Sequence, residues 1–277
     1  MVTFPNCKIN LGLHVVNKRP DGYHNIETVF YPVGWCDVLE VIENTDGGDP
    51  FVMSGTGITI NGNPGENLVY KAFKLISAIK KIPPVKVHLH KVIPMGAGLG
   101  GGSSDAAHFI NLVNTMFNLG FAEAEKIALA SELGSDCAFF INNRPVLARG
   151  KGNEFSDLGV DLSAYYILLV YPGIHSDTKS AYGGLIPRQP SLNLNDLIET
   201  GSIQSWKTEL LNDFEPSLFN RYPPIKHLKQ KLYNEGALYA SMSGSGSTVF
   251  GIFEKEPVID FPSSFHCFLQ KPGIKIL

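Results

Sequence analysis

Five of the seven residues from Gly96 to Gly102 are glycine, and the run stands between segments of opposite periodicity. Upstream, Val85, Val87 and Leu89 alternate with Lys86, His88 and His90, the pattern of a half-buried strand. Downstream, Ala106, Ile110, Val113 and Phe117 recur at spacings of four, three and four, which predicts a helix. A strand, a glycine loop and a helix in that order leave backbone N–H groups clear of side chains, beside helix N–H groups with no partner of their own. Such an arrangement cradles phosphate. A Walker loop is excluded, because it needs Gly-Lys-Ser/Thr and no lysine lies between Lys91 and Ser104. Gly96, Gly98 and Gly101 spell G-x-G-x-x-G. A dinucleotide fold, however, needs a strand after the helix, ending in an acidic residue about 20 residues on, and here a second helix is predicted over 122–133. Ser103 and Ser104 can cap the first helix, or turn their hydroxyls to phosphate or Mg2+.

Around this centre the chain reads as mixed strands and helices. Runs rich in β-branched and aromatic residues predict strands over 27–33 and 38–41. Over 66–80, Leu68, Ala72, Leu75 and Ile79 share one helix face, with Ile76 beside them. The second helix breaks at Gly134-Ser135-Asp136, and Gly, Asn, Asp and Ser accumulate over 150–163 before a strand at 165–171. A domain boundary is expected there, giving domains 1–157 and 158–277. Beyond it, helices are predicted near 176–183 and over 225–234, and strands at 237–242 and 249–253 flank Ser243-Gly244-Ser245-Gly246-Ser247.

Composition limits the partners. A chain of 277 residues has room for roughly two domains at about 150 residues each, and 44% hydrophobic against 18% charged residues is a globular balance. Lys+Arg 23 against Asp+Glu 26 gives a net charge of −3, with no block of like charge longer than a pair such as Lys80-Lys81. That leaves no electrostatic footprint for nucleic acid or anionic lipid. The four cysteines, at 7, 36, 137 and 267, are scattered without C-x-x-C spacing, which suggests neither zinc nor a disulfide framework and fits a reducing compartment. The longest apolar stretch, 164–171, is far short of the ~20 residues that span a bilayer. The expectation is a soluble cytoplasmic protein with a small-molecule substrate and no nucleic-acid or membrane partner; the sequence does not give its oligomeric state.

The segment PMGAGLGGGSSDAA at 94–107 resembles the phosphate loop of the superfamily of galactokinase, homoserine kinase, mevalonate kinase and phosphomevalonate kinase, the GHMP kinases. Six further segments resemble one member family, the 4-diphosphocytidyl-2-C-methyl-D-erythritol kinases. They are CKINLGL at 7–13, RPDGYHNIETVF at 19–30, GENLVYKAF at 65–73, ELGSDCAFF at 132–140, NDFE at 212–215 and MSGSGSTVFGIF at 242–253. The matches fall in order along nearly the whole chain. The resemblance implies an α+β fold of two domains, the N-terminal one similar to the second domain of ribosomal protein S5 and the C-terminal one ferredoxin-like. It also implies a reaction of non-mevalonate isoprenoid biosynthesis, transfer of the γ-phosphoryl of ATP, with Mg2+, to the 2-hydroxyl of the methylerythritol moiety.

Residue roles follow from the same resemblance. Lys8 and Asp136 match the catalytic pair at the acceptor hydroxyl. Asn67, Leu68, Lys91 and Pro94 line the ATP site, and Gly96, Ala97, Gly98, Leu99, Gly100, Gly101, Gly102, Ser103 and Ser104 take its phosphates. Tyr23 and Tyr182 are expected to sandwich the cytosine of the acceptor while His24 reads a hydrogen-bonding edge, with Asn10, Thr178, Gly244 and Ser245 also on the acceptor. The chain departs from the family after Pro172-Gly173, where His175-Ser176-Asp177-Thr178 replaces a common Val-Ser-Thr; Asp177 is expected to face solvent. Two alternatives are another kinase of the superfamily, acting on mevalonate or homoserine, and a non-catalytic ligand sensor. RPDGYH argues against the first, and the retention of Lys8, Asp136 and the intact loop against the second.

Overall fold

The structure is a computed structural model that describes every residue except 61, 178–180, 184, 191 and 275–277. Its contacts divide the chain into two compact units that interleave along the sequence, one of 1–7, 35–95 and 100–143, the other of 8–34, 96–99 and 144–277. Both mix helix with sheet, and the fold is α+β.

The first unit is built on a four-stranded sheet in the order β1 (Val2–Thr3), β4 (Val38–Glu43), β6 (Val85–Lys91), β5 (Phe51–Gly57). β4 pairs antiparallel with β6, Val41 opposite Val87 and Leu39 opposite Leu89, whereas β5 runs parallel to β6. Alternation buries Leu39, Val41, Val85, Val87 and Leu89 together, so one face of this sheet is apolar. Helix α1 (Leu68–Ile79) buries Val69, Ala72, Phe73 and Ile76. The buried stripe is thus turned by about one residue from the one expected at Leu68, Leu75 and Ile79, and Ile79 is 60% exposed. Aromatic packing accounts for the rotation, since Phe73 packs against Phe51 of β5 with ring centroids 4.9 Å apart and planes tilted by 43°.

Helix α2 (Gly101–Met116) follows the glycine loop and buries Ala106, Ile110 and Val113 as its periodicity requires. It starts earlier than expected, because Gly100 is its N-cap in the left-handed region at φ 72°. Ser103 and Ser104 therefore lie inside the first turn and do not cap it. Helices α3 (Glu123–Leu133) and α4 (Ser135–Asn142) are joined through Gly134 alone, which ends one and starts the next, so the expected break is a single-residue corner.

In the second unit one sheet has the order β2 (Asn6–Lys18), β3 (His24–Cys36), β7 (Val146–Arg149), β8 (Glu154–Asp157). The β8 strand falls within the stretch read as irregular, and pairs antiparallel with β7. A second, fully antiparallel sheet has the order β10 (Tyr239–Met242), β11 (Val249–Phe253), β9 (Tyr166–Tyr171), β12 (His266–Gln270). Helix α8 (Pro223–Asn234) directs Ile225, Leu228 and Leu232 into a core with Leu168, Val170, Ala240, Met242 and Val249. Short helices α5 (Leu194–Thr200), α6 (Trp206–Glu209) and α7 (Glu215–Arg221) precede it. The helix expected near 176–183 falls partly outside the described residues. No helix among the described residues is long and apolar enough to cross a membrane.

Candidate active site

Residues 96–99 of the glycine loop belong to the second unit, where the second glycine segment holds them. The Thr248 N–H donates to the Ala97 carbonyl at 3.2 Å, and the Ser243 hydroxyl donates to the Gly98 carbonyl at 2.9 Å. Lys8 donates twice to the same loop, from Nζ to the Gly98 carbonyl at 3.1 Å and from its backbone N–H to the Leu99 carbonyl at 3.0 Å. Gly98 has φ +80°, and a Cβ there would stand 2.0 Å from the Ser243 carbonyl oxygen, so only glycine fits. At Gly96 the place of a side chain is taken by the imidazole of His175, 2.5 Å from where a Cβ would sit.

Two strand residues complete this cluster. Lys8 is 3% exposed and Asn10 2%. Lys8 Nζ donates to Asn10 Oδ1 at 2.6 Å, and Asn10 Nδ2 donates to the Thr28 hydroxyl at 2.9 Å. Lys8 also lies 5.0 Å over the ring of Phe30. The second glycine segment is in turn fixed by NDFE: Asn212 Nδ2 donates to the carbonyls of Met242 at 2.8 Å and Gly244 at 2.9 Å. Glu215 accepts the Met242 N–H at 2.9 Å and pairs with Lys229 at 2.6 Å. Gly244 is buried, and the Ser245 carbonyl accepts the Ser176 hydroxyl at 2.8 Å. The sequence gives no individual role to Thr28, Asn212 or Glu215, and expects Ser243 only as one end of a segment, 243–247, that brings backbone N–H groups towards the active site; the resemblance of NDFE to the family is the signal for Asn212 and Glu215.

The aromatic residues are arranged differently from the sandwich expected of them. His24 stacks on Tyr182, centroids 4.6 Å apart and planes 13° from parallel, while Phe214 meets Tyr182 edge-on at 4.9 Å. A ring that was to read an edge therefore covers a face of Tyr182. Tyr23 is 62% exposed, with Lys151 Nζ 5.0 Å over its ring. Partial burial, then the charge of Lys18, holds the His24 pKa below its usual value, which favours the neutral imidazole. Asp177 is exposed as expected, and Thr178 lies outside the described residues.

The remaining site residues lie in the first unit. Among the described residues no side chain caps the N-terminus of α2, and the N–H groups of Gly101, Gly102 and Ser103 have no partner within the helix. Gly102 is exposed. The Ser104 hydroxyl is buried and shares a 3.2 Å hydrogen bond with His108 Nδ1, which takes it off the loop surface. Pro94 is buried behind the loop. Asp136 is half-buried in the first turn of α4. A cavity of about 510 Å³ is lined by 53–60, Asn63, Glu66, Asn67 and Met95. Asn67 serves it from the N-cap of α1, where its Oδ1 accepts the Val69 N–H at 2.9 Å. Leu68 is half-buried and does not line the cavity. Lys91, expected to line the nucleotide site, is 2% exposed, with its ammonium paired to Asp37 and Asp105. Among the described residues no group of three His, Cys, Asp or Glu side chains is placed to hold a metal ion.

The class is defined from both halves: residues 67–144 match the GHMP kinases N terminal domain and 190–263 match the GHMP kinases C terminal. A protein of Cytophaga hutchinsonii named 4-diphosphocytidyl-2-C-methyl-D-erythritol kinase is 50% identical over 93% of this chain and 94% of its own length. One of Bacteroides fragilis with the same name is 47% identical over 97% and 98%. A crystal structure of 4-(cytidine 5'-diphospho)-2C-methyl-D-erythritol kinase superposes with TM-score 0.75 at 30% identity, over 91% of this chain and 90% of that one. The chain belongs to the GHMP kinases and, within them, to the 4-diphosphocytidyl-2-C-methyl-D-erythritol kinase family.

Proposed function

We propose that the protein transfers the γ-phosphoryl group of ATP to the 2-hydroxyl of 4-diphosphocytidyl-2-C-methyl-D-erythritol, giving the 2-phosphate and ADP. The near full-length identity to kinases of that name carries this reading. The clustering of Lys8, Asn10, Gly98 and Ser243 supports it, because a buried lysine on the main chain of a glycine loop is costly unless it serves a charge. The site of action is the cytoplasm, and 157/158 marks the border between the two domains of the family, with one family match on either side.

Phosphoryl transfer asks a protein mainly to hold two oxygens in line and to stabilise charge on the moving group. The uncapped start of α2 offers its N–H groups to the phosphates, and the cavity beside Asn67 takes the rest of the nucleotide. Mg2+ bound with ATP would neutralise charge on the transferring group. Asp136 orients the acceptor hydroxyl and takes its proton, and Lys8 stabilises the developing alkoxide. Orientation matters more than abstraction, because a loose transition state, in which the proton leaves late, needs only a weak proton acceptor.

The test is ADP release from Mg-ATP with the cytidine diphosphate acceptor, its uridine analogue, mevalonate or homoserine. Turnover with the cytidine compound alone is expected. Phosphorylation of mevalonate or homoserine would overturn the substrate, and binding of the cytidine compound without turnover would make the protein a sensor.

A further inference from the structure

Three buried ionisable side chains in the first unit join the strand that enters the glycine loop to the helix that leaves it. Lys91, the last residue of β6, pairs through Nζ with Oδ2 of Asp37 and, at 2.8 Å, with Oδ2 of Asp105. Asp37 grips the same flank a second time: its Oδ1 accepts the backbone N–H of Val92 at 2.6 Å and of Ile93 at 2.9 Å, just before the chain turns at Pro94. Asp105 opens the second turn of α2 and is buried, and its Oδ1 has no hydrogen-bond partner among the described residues. The first residue of that helix also abuts the ammonium, since a Cβ on Gly101 would lie 3.3 Å from Lys91 Nζ.

A buried triad of two carboxylates and one ammonium is a poor way to gain stability, because desolvation of the charges offsets their attraction and apolar residues of the same volume often do as well. What it provides is a fixed geometry between two backbone segments. We propose that Asp37, Lys91 and Asp105 are positioning residues for the ATP phosphates, a buried clamp that sets the spacing between the two flanks of the glycine loop. The proposal rests on the reading of that loop as the phosphate site. It assigns Lys91 a part in nucleotide binding that it plays through the loop and not by touching the nucleotide.

The variants Asp105→Ala and Asp37→Asn separate these roles. Asp105→Ala cuts the tie to α2 and leaves Lys91 and Asp37 as a balanced pair, so folding is retained; Asp37→Asn keeps volume and loosens the tie to β6. Binding of ATP alone and of the cytidine acceptor alone is measured by calorimetry on the intact protein, together with KM and kcat. Both variants are expected to raise the ATP Kd and KM roughly threefold to thirtyfold, with acceptor Kd within about twofold and kcat at saturating ATP nearly unchanged. A lysine that touched the phosphates itself would be freed by Asp105→Ala, and ATP binding that stays level or tightens overturns the clamp. Equal weakening of ATP and acceptor would signal a general loss of structure and overturn it as well. A wild-type protein that binds no ATP would overturn the reading of the loop and the clamp with it, whereas ATP binding without phosphorylation of the acceptor would count against the proposed reaction only.

Discussion

Lys8 reaches along its own strand to Asn10, Nζ donating to Oδ1 at 2.6 Å, and Asn10 in turn holds the Thr28 hydroxyl at 2.9 Å. Residues two apart share a face of a strand, so the lysine is fixed by its neighbour instead of waving in solvent. Asn10→Ala removes an acceptor from a buried ammonium and a donor from the Thr28 hydroxyl, which keeps only its own bond to the Gly12 carbonyl. We predict a stability loss of about 1–3 kcal/mol, read by denaturant unfolding, with a parallel fall in kcat. Unchanged unfolding and turnover would mean that the pair holds nothing in place.

Asp136 sits half-buried in the first turn of α4. For Asp136→Asn the expected outcome is a kcat lower by roughly 10²-fold to 10⁴-fold, while the Kd of ATP and of the acceptor stay near wild type. Single-turnover and binding measurements on the same preparation decide it. Near-normal turnover would take the carboxylate out of the chemistry.

The stacked pair His24 and Tyr182, 4.6 Å apart, leaves no room for a base between the two rings. On the proposed reading the cytosine stacks on another ring face, and exposed Tyr23 offers one. Tyr23→Ala is predicted to weaken acceptor binding by about 1–3 kcal/mol without altering ATP affinity. Tyr182→Ala should do so too, through release of His24, and should lower stability, which Tyr23→Ala should not. Acceptor binding that ignores both substitutions would move the base elsewhere.

The elements legible in the sequence are those whose partners are local. β6, α2 and α8 announce themselves by periodicity, because each buries one regular face. α1 is visible as a helix, but its true stripe depends on Phe51, a residue of another element, and no window around 68–79 contains that information. The strands β5, β7, β8 and β12 are short or carry exposed residues, so their alternation is weak. In the site, resemblance located Lys8, Asn10 and the loop. It could not show that Lys91 faces inward, since a lysine that meets solvent and one that meets two carboxylates are the same letter, and Asp37 lies 54 positions away.

Gly98 and Gly102 are two glycines of one loop with opposite expectations. Gly98→Ala meets both a left-handed backbone and the Ser243 carbonyl at 2.0 Å, and is predicted to lower the Tm and abolish ATP binding. Gly102 has open space where a Cβ would be and lies in the first turn of α2, so Gly102→Ala should stabilise the fold by up to about 1 kcal/mol. The same methyl obstructs a phosphate approaching the helix N-terminus, and ATP affinity should fall. Undiminished ATP binding in Gly102→Ala would move the phosphates off the helix.

The buried triad makes stability depend on pH in a direction set by Asp105. Burial first, and the charge of Asp37 with it, outweigh the attraction of Lys91 and push this carboxyl from its ordinary 3.8 up to about 7. Between those values the folded protein holds a proton that the unfolded chain has released. Stability from this group is therefore fully present below the unfolded value and is lost as pH rises through about 7. Asp105→Asn keeps the size and removes the titration. Its Tm minus that of wild type should accordingly become more positive from about pH 5 to about pH 8, at constant ionic strength. The other shifted buried carboxylate does not mask this: Asp213, which burial alone would raise, is brought below its usual value by His14, the Val15 N–H and Arg188, so its contribution changes only in more acidic solution. A Tm difference that stays flat across the range would mean that Asp105 is ionised throughout and that Lys91 balances both carboxylates at once.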